Sequence, residues 1–195
     1  MMKLKAKEEI VDRYYNDGNF QHSIEYIISN HYDSAFGFYE EFSSFWEEEG
    51  YHRISNSRNK LYEIFLEFYK SKSYGDLNVF NEFLKLDFIQ NNKNGNLPKK
   101  LKRSKNNLDQ RQVHQVLKDE RLLKAYLPEY EDIPTKRLIR NVSIERFEVN
   151  LFKIMENGYN LIEDENHVDI LFIYREGVIN RCDLQDISKI TRELE

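Results

Sequence analysis

Cysteine is almost absent from this 195-residue chain, and that scarcity limits the chemistry that the chain can carry. Cys182 is the only cysteine. One cysteine forms no disulfide within the chain, and it supplies neither an iron–sulfur cluster nor a four-cysteine zinc site. A chain without disulfides is typical of the cytoplasm, so the sequence predicts a cytoplasmic protein.

Proline, glycine and long apolar runs are scarce as well. Three prolines and seven glycines are few for a sandwich or barrel with many turns, and they are typical of long helices. No window approaches roughly 18 uncharged apolar residues, and the first residues contain no signal-peptide stretch, so the sequence predicts no membrane segment. The net charge of −5 argues against general nucleic-acid binding.

Aromatic residues are abundant and concentrated. Eleven of the 27 aromatic residues lie between Phe36 and Tyr69, mostly at helical spacing, as in Phe38, Phe42 and Phe45. This pattern is typical of packing rather than of reactivity. Helices are predicted over residues 6–16, 20–31, 77–91 and 109–126. Two more are predicted between them: one begins at a cap at residue 33 or 34 and ends at Gly50, and the next begins at a cap at residue 56 or 57.

The last third of the chain changes to strand periodicity. Apolar residues alternate at Phe147, Val149 and Leu151, and the phase slips near Ile154, which favours a bulge or bend. Residues 168–174 predict the best-buried strand, 155–166 a long hairpin loop and 178–184 a third strand. The predicted fold class is therefore α+β. A helical body over residues 1–135 precedes a small antiparallel sheet over 136–195, packed on it as one folding unit.

No short motif of catalysis or metal binding occurs in the chain. None of the five histidines belongs to a His-x₃-His pair or an HExxH motif, and no glycine-rich phosphate loop is present. Three polar residues are nevertheless candidates for a functional site: His52, Arg58 and Asp87. Structural roles are favoured for all three. Asp87 lies on or beside an apolar helix face, where a buried carboxylate needs a partner such as Lys93, Arg58 or a backbone amide.

A basic run in the polar connection over residues 91–107 is the local candidate for binding an anionic partner. It comprises Lys99, Lys100, Lys102, Arg103 and Lys105. Basic runs in such connections are more often simply solvated. No aromatic residues are interleaved with this one, which weakens the case for single-stranded nucleic acid.

An ordered succession of residues along the chain resembles a known family. It includes Phe38-Tyr39-Glu40 with Phe42, then Trp46 and Gly50-Tyr51-His52, and later Ser57-Arg58, Leu61-Tyr62-Glu63, Leu86-Asp87-Phe88, Leu97 and Pro98. These residues resemble the DUF4080-type C-terminal domain. That domain follows a cobalamin-binding domain and a radical S-adenosylmethionine (SAM) barrel in bacterial proteins. Such proteins are often labelled magnesium-protoporphyrin monomethyl ester oxidative cyclases or iron–sulfur oxidoreductases.

The resemblance implies a non-catalytic accessory domain, excised from its enzyme or encoded alone. The parent protein would hold a [4Fe-4S] cluster, S-adenosylmethionine and cobalamin. This chain lacks the CxxxCxxC and DxHxxG motifs, so no catalytic residue, metal ligand or cofactor is carried over to it. Its expected partners are the radical SAM and cobalamin-binding domains, whose barrel it would cap or whose substrate or partner access it would shape.

This first hypothesis predicts an exposed aromatic surface, and the candidates to share it are Tyr14, Tyr15, Tyr39, Tyr51, Tyr62 and Tyr69. A second hypothesis is a free-standing protein-interaction module that uses the basic run. A third, ranked last, is an independent enzyme built on His52, Arg58 and Asp87.

Overall fold

The computed structural model describes residues 7–93, 95–130, 133–162, 166–175 and 181–194. Two compact units are present. The first comprises Met1–Asn91, Gly95–Lys102 and Lys153–Ile162, and the second comprises Asn92–Asn94, Arg103–Phe152 and Glu163–Glu195. The order of helices followed by a small antiparallel sheet confirms the predicted α+β class.

The first unit is helical. Residues 7–10 are α-helical and continue into a π-helical segment, Val11–Asn16. Four longer helices follow: α1 (Gln21–His31), α2 (Ala35–Glu48), α3 (Arg58–Ser71) and α4 (Leu77–Asn91). All of them lie where the apolar periodicity predicted helices.

Polar caps and a glycine set the limits of the helices. Ser34 caps α2 by accepting a hydrogen bond from Gly37 N at 3.2 Å, and Ser57 caps α3 by accepting one from Lys60 N at 3.3 Å. In both cases the serine, and not its neighbour, is the cap. Gly50 follows α2 with a φ of 74°, a left-handed conformation that glycine adopts without strain, so the predicted stop is confirmed.

The core of the helical unit is built from stacked and edge-on aromatic rings. Phe42 lies 5.1 Å from Phe65 and 4.6 Å from Phe68 between ring centroids, and Tyr69 stacks on Phe80 at 3.8 Å. All five side chains are fully buried. Such pairs add about 0.5–1.5 kcal/mol each beyond their burial. The dense aromatic stretch is therefore a packing feature, as its spacing predicted.

The second unit combines short helices with a three-stranded sheet. Its helices are α5 (Gln110–Val116), α6 (Glu120–Tyr126), α7 (Thr135–Leu138) and α9 (Ser188–Leu194), and α8 (Leu151–Glu156) begins in this unit. The strands β1 (Val142–Phe147), β2 (Val168–Arg175) and β3 (Arg181–Asp186) are antiparallel in the order β1-β2-β3. The central strand β2 is buried along all but its last residue, which confirms the prediction for residues 168–174.

Two predicted elements of this unit were wrong. The single helix over residues 109–126 is two helices, because Asp119 accepts a hydrogen bond from Arg121 N at 2.8 Å and starts α6 afresh. The strand predicted through Leu151 ends at Phe147. Leu151 instead begins α8, where helical spacing buries both Leu151 and Ile154. The slip in phase is thus a change to helix, not a bulge.

The remaining predicted elements differ in extent. The loop predicted over residues 155–166 begins with the last two residues of α8, and positions 163–165 lie outside the described residues. The third strand begins at Arg181, while the predicted positions 178–180 also lie outside the described residues.

A buried ion pair ties three elements of the second unit together. Arg146 on β1 donates to both carboxylate oxygens of Asp169 on β2, at 2.7 and 2.8 Å. Thr191 on α9 donates to Asp169 Oδ2 at 2.5 Å, and Ser188 Oγ accepts from Asp169 N at 3.0 Å. The bidentate geometry and the added hydrogen bonds satisfy a carboxylate that is fully enclosed.

Candidate functional site

The three polar residues nominated from the sequence occupy different environments. His52 is exposed in the 3₁₀ turn Tyr51–Arg53, where its Nε2 accepts a hydrogen bond from Arg53 Nε at 3.3 Å. Arg58 is exposed at the first position of α3. Asp87 on α4 is only 1% exposed. An enclosed carboxylate and two exposed side chains do not line one common solvent-accessible site.

Asp87 caps the N-terminus of α1. Its Oδ1 accepts from His22 N at 3.1 Å, and its Oδ2 accepts from Ser23 N at 2.8 Å and Ser23 Oγ at 2.6 Å. Phe20, at the N-cap position of α1, has no side-chain acceptor to offer. Burial raises the pKa of Asp87 above its usual value, although the charge of His22 and the hydrogen bonds from both residues oppose that increase. Asp87 therefore has a structural role.

His22 belongs to a second polar group that no sequence pattern indicated. Its Nε2 lies 3.1 Å from Gln90 Oε1 and its Nδ1 lies 2.7 Å from Tyr159 OH. Because Gln90 Oε1 is an acceptor, Nε2–H donates to it, while the Tyr159 hydroxyl can either donate to Nδ1 or accept from it. Tyr159 has a φ of 64°, and its carbonyl accepts from Asn30 Nδ2 at 2.7 Å. These contacts engage both nitrogens of the imidazole ring.

A cluster centred on Asp76 was also missed from the sequence. Asp76 precedes α4 and accepts hydrogen bonds from the hydroxyls of Tyr26 and Tyr69, while His31 Nε2 lies 3.2 Å from its Oδ2. The ring of His31 stacks on Tyr74 with centroids 3.7 Å apart. Burial would raise the pKa of Asp76, but the tyrosine hydrogen bonds and the charge of His31 outweigh it, so that pKa is lowered. The cluster joins α1, α3 and the start of α4.

The basic run is exposed but partly neutralised. Lys100 forms an ion pair with Glu67 in the first unit. Arg103 belongs to the second unit and lies 3.3 Å from Glu145. Lys99, Lys102 and Lys105 are exposed. In the part of the chain that the structure describes, these three lysines form no ion pair.

The six tyrosines expected to share a surface do not do so. Tyr14, Tyr62 and Tyr69 are fully buried, because the carbonyls of Leu61 and Asn19 and the carboxylate of Asp76 provide internal acceptors for their hydroxyls. Tyr51 is half-buried and donates to Glu67 at 2.5 Å. That part of the expectation was wrong.

An exposed aromatic surface is nevertheless present on the first unit. Tyr15 is 64% exposed and Phe36, in the first turn of α2, is 69% exposed. Tyr39 lies one turn after Phe36 on the same side of the helix, and its buried hydroxyl has no hydrogen-bond partner among the described residues. Burial raises the pKa of Tyr39, and the neighbouring Tyr15 and Glu25 raise it further. We call Tyr15, Phe36 and Tyr39 the aromatic face.

A pocket of about 270 Å³ lies beside Tyr15. Its lining residues are Tyr14, Tyr15, Gly18, Gln21, Ile24 and Glu25. The lining therefore includes one exposed tyrosine, Tyr15, together with an aliphatic residue, an amide residue and one carboxylate residue.

Neither a metal centre nor a membrane segment is visible in the described ranges. No group of three or more His, Cys, Asp or Glu side chains there is arranged to hold a metal ion. Among the same residues, no helix has both the length and the apolar character needed to cross a bilayer.

Comparison with known proteins gives a family. Neither the curated proteins nor the solved structures contain a match to this chain. The family model described as "Protein of unknown function (DUF4080)" matches residues 1–172, which is most of the chain. The chain therefore belongs to the DUF4080 family.

Proposed function

We propose that this chain is a non-catalytic C-terminal accessory domain of a cytoplasmic, cobalamin-dependent radical SAM oxidoreductase. Its helical unit would dock on the radical SAM or cobalamin-binding domain, cap the barrel and shape the access of substrate or partner. The [4Fe-4S] cluster, S-adenosylmethionine and cobalamin would be held by those other domains. The proposal rests on the resemblance of residues 38–98 to the accessory domain of such proteins.

The aromatic face is the observation that carries the docking role. Single exposed apolar side chains are common on protein surfaces. Here, however, Tyr15 and Phe36 are among the most exposed large apolar side chains described. The buried hydroxyl of Tyr39, whose pKa is raised in part by Tyr15, has no hydrogen-bond partner within the described ranges. Aromatic residues with an unused polar group are enriched at protein interfaces, where the partner supplies the missing acceptor.

The placement of the polar candidates favours docking over catalysis by this chain. Asp87 and Asp76 both accept several hydrogen bonds from within the helical unit. A general base must reach a substrate proton directly or through one water. An enclosed Asp87 that already accepts three hydrogen bonds is poorly suited to that task.

A free-standing interaction module remains the alternative. Exposed Lys99, Lys102 and Lys105 favour it, whereas the ion pairs of Lys100 and Arg103 reduce the net positive charge of the run. This alternative predicts binding to an anionic partner that weakens with salt and is lost when the free lysines are neutralised.

The genomic DNA upstream of the Met1 codon provides the first test. An accessory domain of a longer enzyme requires an open reading frame through that codon which encodes a CxxxCxxC motif. A ribosome-binding site and a genuine start at Met1 would instead favour the interaction module.

Hydroxyl-radical footprinting of the full-length protein and of the isolated chain then tests the docking surface. We expect Tyr15 and Phe36 to react readily in the isolated chain and to be protected in the full-length protein. Ile54 is a matched internal control, because it is 56% exposed and follows the C-terminal end of α2, whereas Phe36 lies in the first turn of that helix. Equal reactivity of Tyr15 and Phe36 in both samples would refute docking through the aromatic face.

A further inference from the structure

Glu25 gives the pocket beside Tyr15 a negative charge that nothing in the described chain neutralises. Glu25 is exposed on α1 and forms no ion pair in the described ranges. The lining residues include no Lys, Arg or His. Of the two lining tyrosines only Tyr15 is exposed, and the face of its ring is the negative part of the aromatic quadrupole, which attracts a cation placed over it.

The charge of Glu25 contributes to the raised pKa of two tyrosines. Burial is the main cause that raises the pKa of Tyr159 to about 12, with contributions from Asp87 and Glu25. Burial likewise raises the pKa of Tyr39, followed by Tyr15 and Glu25. Glu25 is the last and smallest of the causes in both cases, so the case for the site rests on the geometry of the pocket.

The backbone keeps the pocket open on one side. In the π-helical segment, Asp17 N donates to Asp12 O at 3.2 Å, which is a five-residue spacing. The following residue, Gly18, has a φ of +66°, and a Cβ built on it would meet no atom within 4 Å. Single π-turns occur frequently at functional sites. Here the turn leaves the ring of Tyr14 buried and that of Tyr15 exposed.

The size of the pocket limits the ligand. Its volume of about 270 Å³ far exceeds the roughly 10–15 Å³ that admits one water, but it lies below the range of about 300–1,000 Å³ that holds drug-sized molecules. A group smaller than a drug-sized molecule is therefore of suitable size. The amide oxygen of Gln21 can accept a further hydrogen bond from such a group.

We propose that this pocket binds an alkylguanidinium or alkylammonium group, with Glu25 as the charge partner and Tyr15 as the aromatic wall. The inference extends the proposed docking role, because an arginine or lysine side chain of the partner domain would carry this chemistry beside the aromatic face. A free small amine carries the same chemistry. The pocket itself can be tested on the isolated chain.

The test is an NMR titration of the ¹⁵N-labelled chain with ethylguanidinium chloride. We expect saturable shifts at the amides of Gln21, Ile24 and Glu25, with a Kd of about 1–10 mM for so small a ligand. N-ethylurea is a neutral, planar comparison that should not bind. A titration with N-acetyl-arginine methylamide distinguishes an arginine side chain from a free small cation as the natural ligand. Binding of this compound assigns the site to a protein side chain. If it does not bind although ethylguanidinium does, the site is assigned to a small molecule.

Two variants and a control decide the inference. Glu25→Gln should weaken ethylguanidinium binding about tenfold, and Tyr15→Ser about threefold or more. Glu48→Gln makes the same change of charge at an exposed position of α2 and should bind as the parent chain does. An unshifted spectrum, equal binding of N-ethylurea or unchanged binding by Glu25→Gln would overturn the proposal. If the footprinting of Tyr15 and Phe36 succeeds while this titration fails, only the cation site is refuted.

Discussion

Replacing Asp87 by alanine tests the clearest structural assignment in the helical unit. The substitution removes the acceptor of three hydrogen bonds, from His22 N, Ser23 N and Ser23 Oγ. Phe20 cannot substitute as a cap, because its side chain has no acceptor. Both amides belong to the first turn of α1, where they have no partner within the helix. Ser23 is fully buried, so water does not readily replace the carboxylate.

The expected loss follows from these contacts. Removing a helix cap costs about 1 kcal/mol, and leaving buried donors without an acceptor costs about 1–3 kcal/mol. We therefore expect Asp87→Ala to lower the free energy of unfolding by about 2–4 kcal/mol. With a urea m-value of about 2 kcal/mol per M, the midpoint of unfolding would fall by about 1–2 M. Asp87→Asn keeps one acceptor oxygen, so its free energy of unfolding should lie between those of the parent chain and Asp87→Ala.

Urea unfolding followed by far-UV circular dichroism measures these values. A double-mutant cycle with Ser23→Ala isolates the direct contact, for which we expect a coupling energy of about 1 kcal/mol. Asp33→Ala is the control, since Asp33 is exposed, and it should stay within about 0.5 kcal/mol of the parent chain. A change in Asp87→Ala as small as that of the control would show that Asp87 does not cap α1, and a coupling energy of zero would show that the Ser23 hydroxyl does not bind the Asp87 carboxylate.

The pH dependence of the same comparison gives an independent check. The folded protein binds a proton at Asp87 more readily than the unfolded chain does, because burial raises its pKa. The stabilisation that follows from this raised pKa of Asp87 is therefore fully present below the ordinary carboxylate pKa of about 3.9, and it decreases as pH rises. The difference between Asp87→Ala and the parent chain should accordingly be larger at pH 3 than at pH 7.

Two further substitutions test the half-buried Asp76 and the buried Asp169. Because the pKa of Asp76 is lowered in the folded protein, its contribution to stability is present at neutral pH and decreases on acidification, opposite to that of Asp87. Asp76→Asn should therefore lower the free energy of unfolding by about 2 kcal/mol at pH 7 and by less at pH 3. A loss of stability that grows on acidification would contradict the Asp76 cluster. Arg146→Ala leaves Asp169 enclosed without its cation and should lower the free energy of unfolding in urea by about 3–5 kcal/mol. The control Arg140→Ala, at an exposed arginine, should change it by less than about 0.5 kcal/mol, and equal effects of the two arginines would refute the role of the pair.

Local patterns predicted the helices well because their causes are local. Ser34 and Ser57 cap by reaching amides three residues away, and Gly50 supplies a left-handed residue where α2 ends. The errors arose where two local signals competed. Asp119 can lie within a helix or cap a new one, and Leu151 fits either period. In both cases the short-range contact that decides the outcome is visible only in the folded chain.

The polar clusters could not be predicted because their partners are distant in the sequence. The sequence indicated that a carboxylate near an apolar helix face needs a partner, but Ser23 is 64 residues from Asp87. Tyr26 is 50 residues from Asp76, and His31 is 45 residues from it. No periodicity links such positions, because each contact depends on how two helices cross.

The tyrosines show why exposure is harder to predict than helicity. Tyr14 and Tyr15 are neighbours and were both expected to share an exposed surface, yet Tyr14 finds an internal acceptor, the carbonyl of Leu61 at 2.9 Å. A buried tyrosine is favourable when its hydroxyl has a partner and costly when it does not. Tyr15 remains exposed and lines the same pocket as Glu25, and the buried hydroxyl of Tyr39 has no acceptor among the residues that the structure describes. This imbalance of hydrogen bonds and charge, more than the presence of exposed rings, distinguishes the aromatic face from an ordinary helical surface.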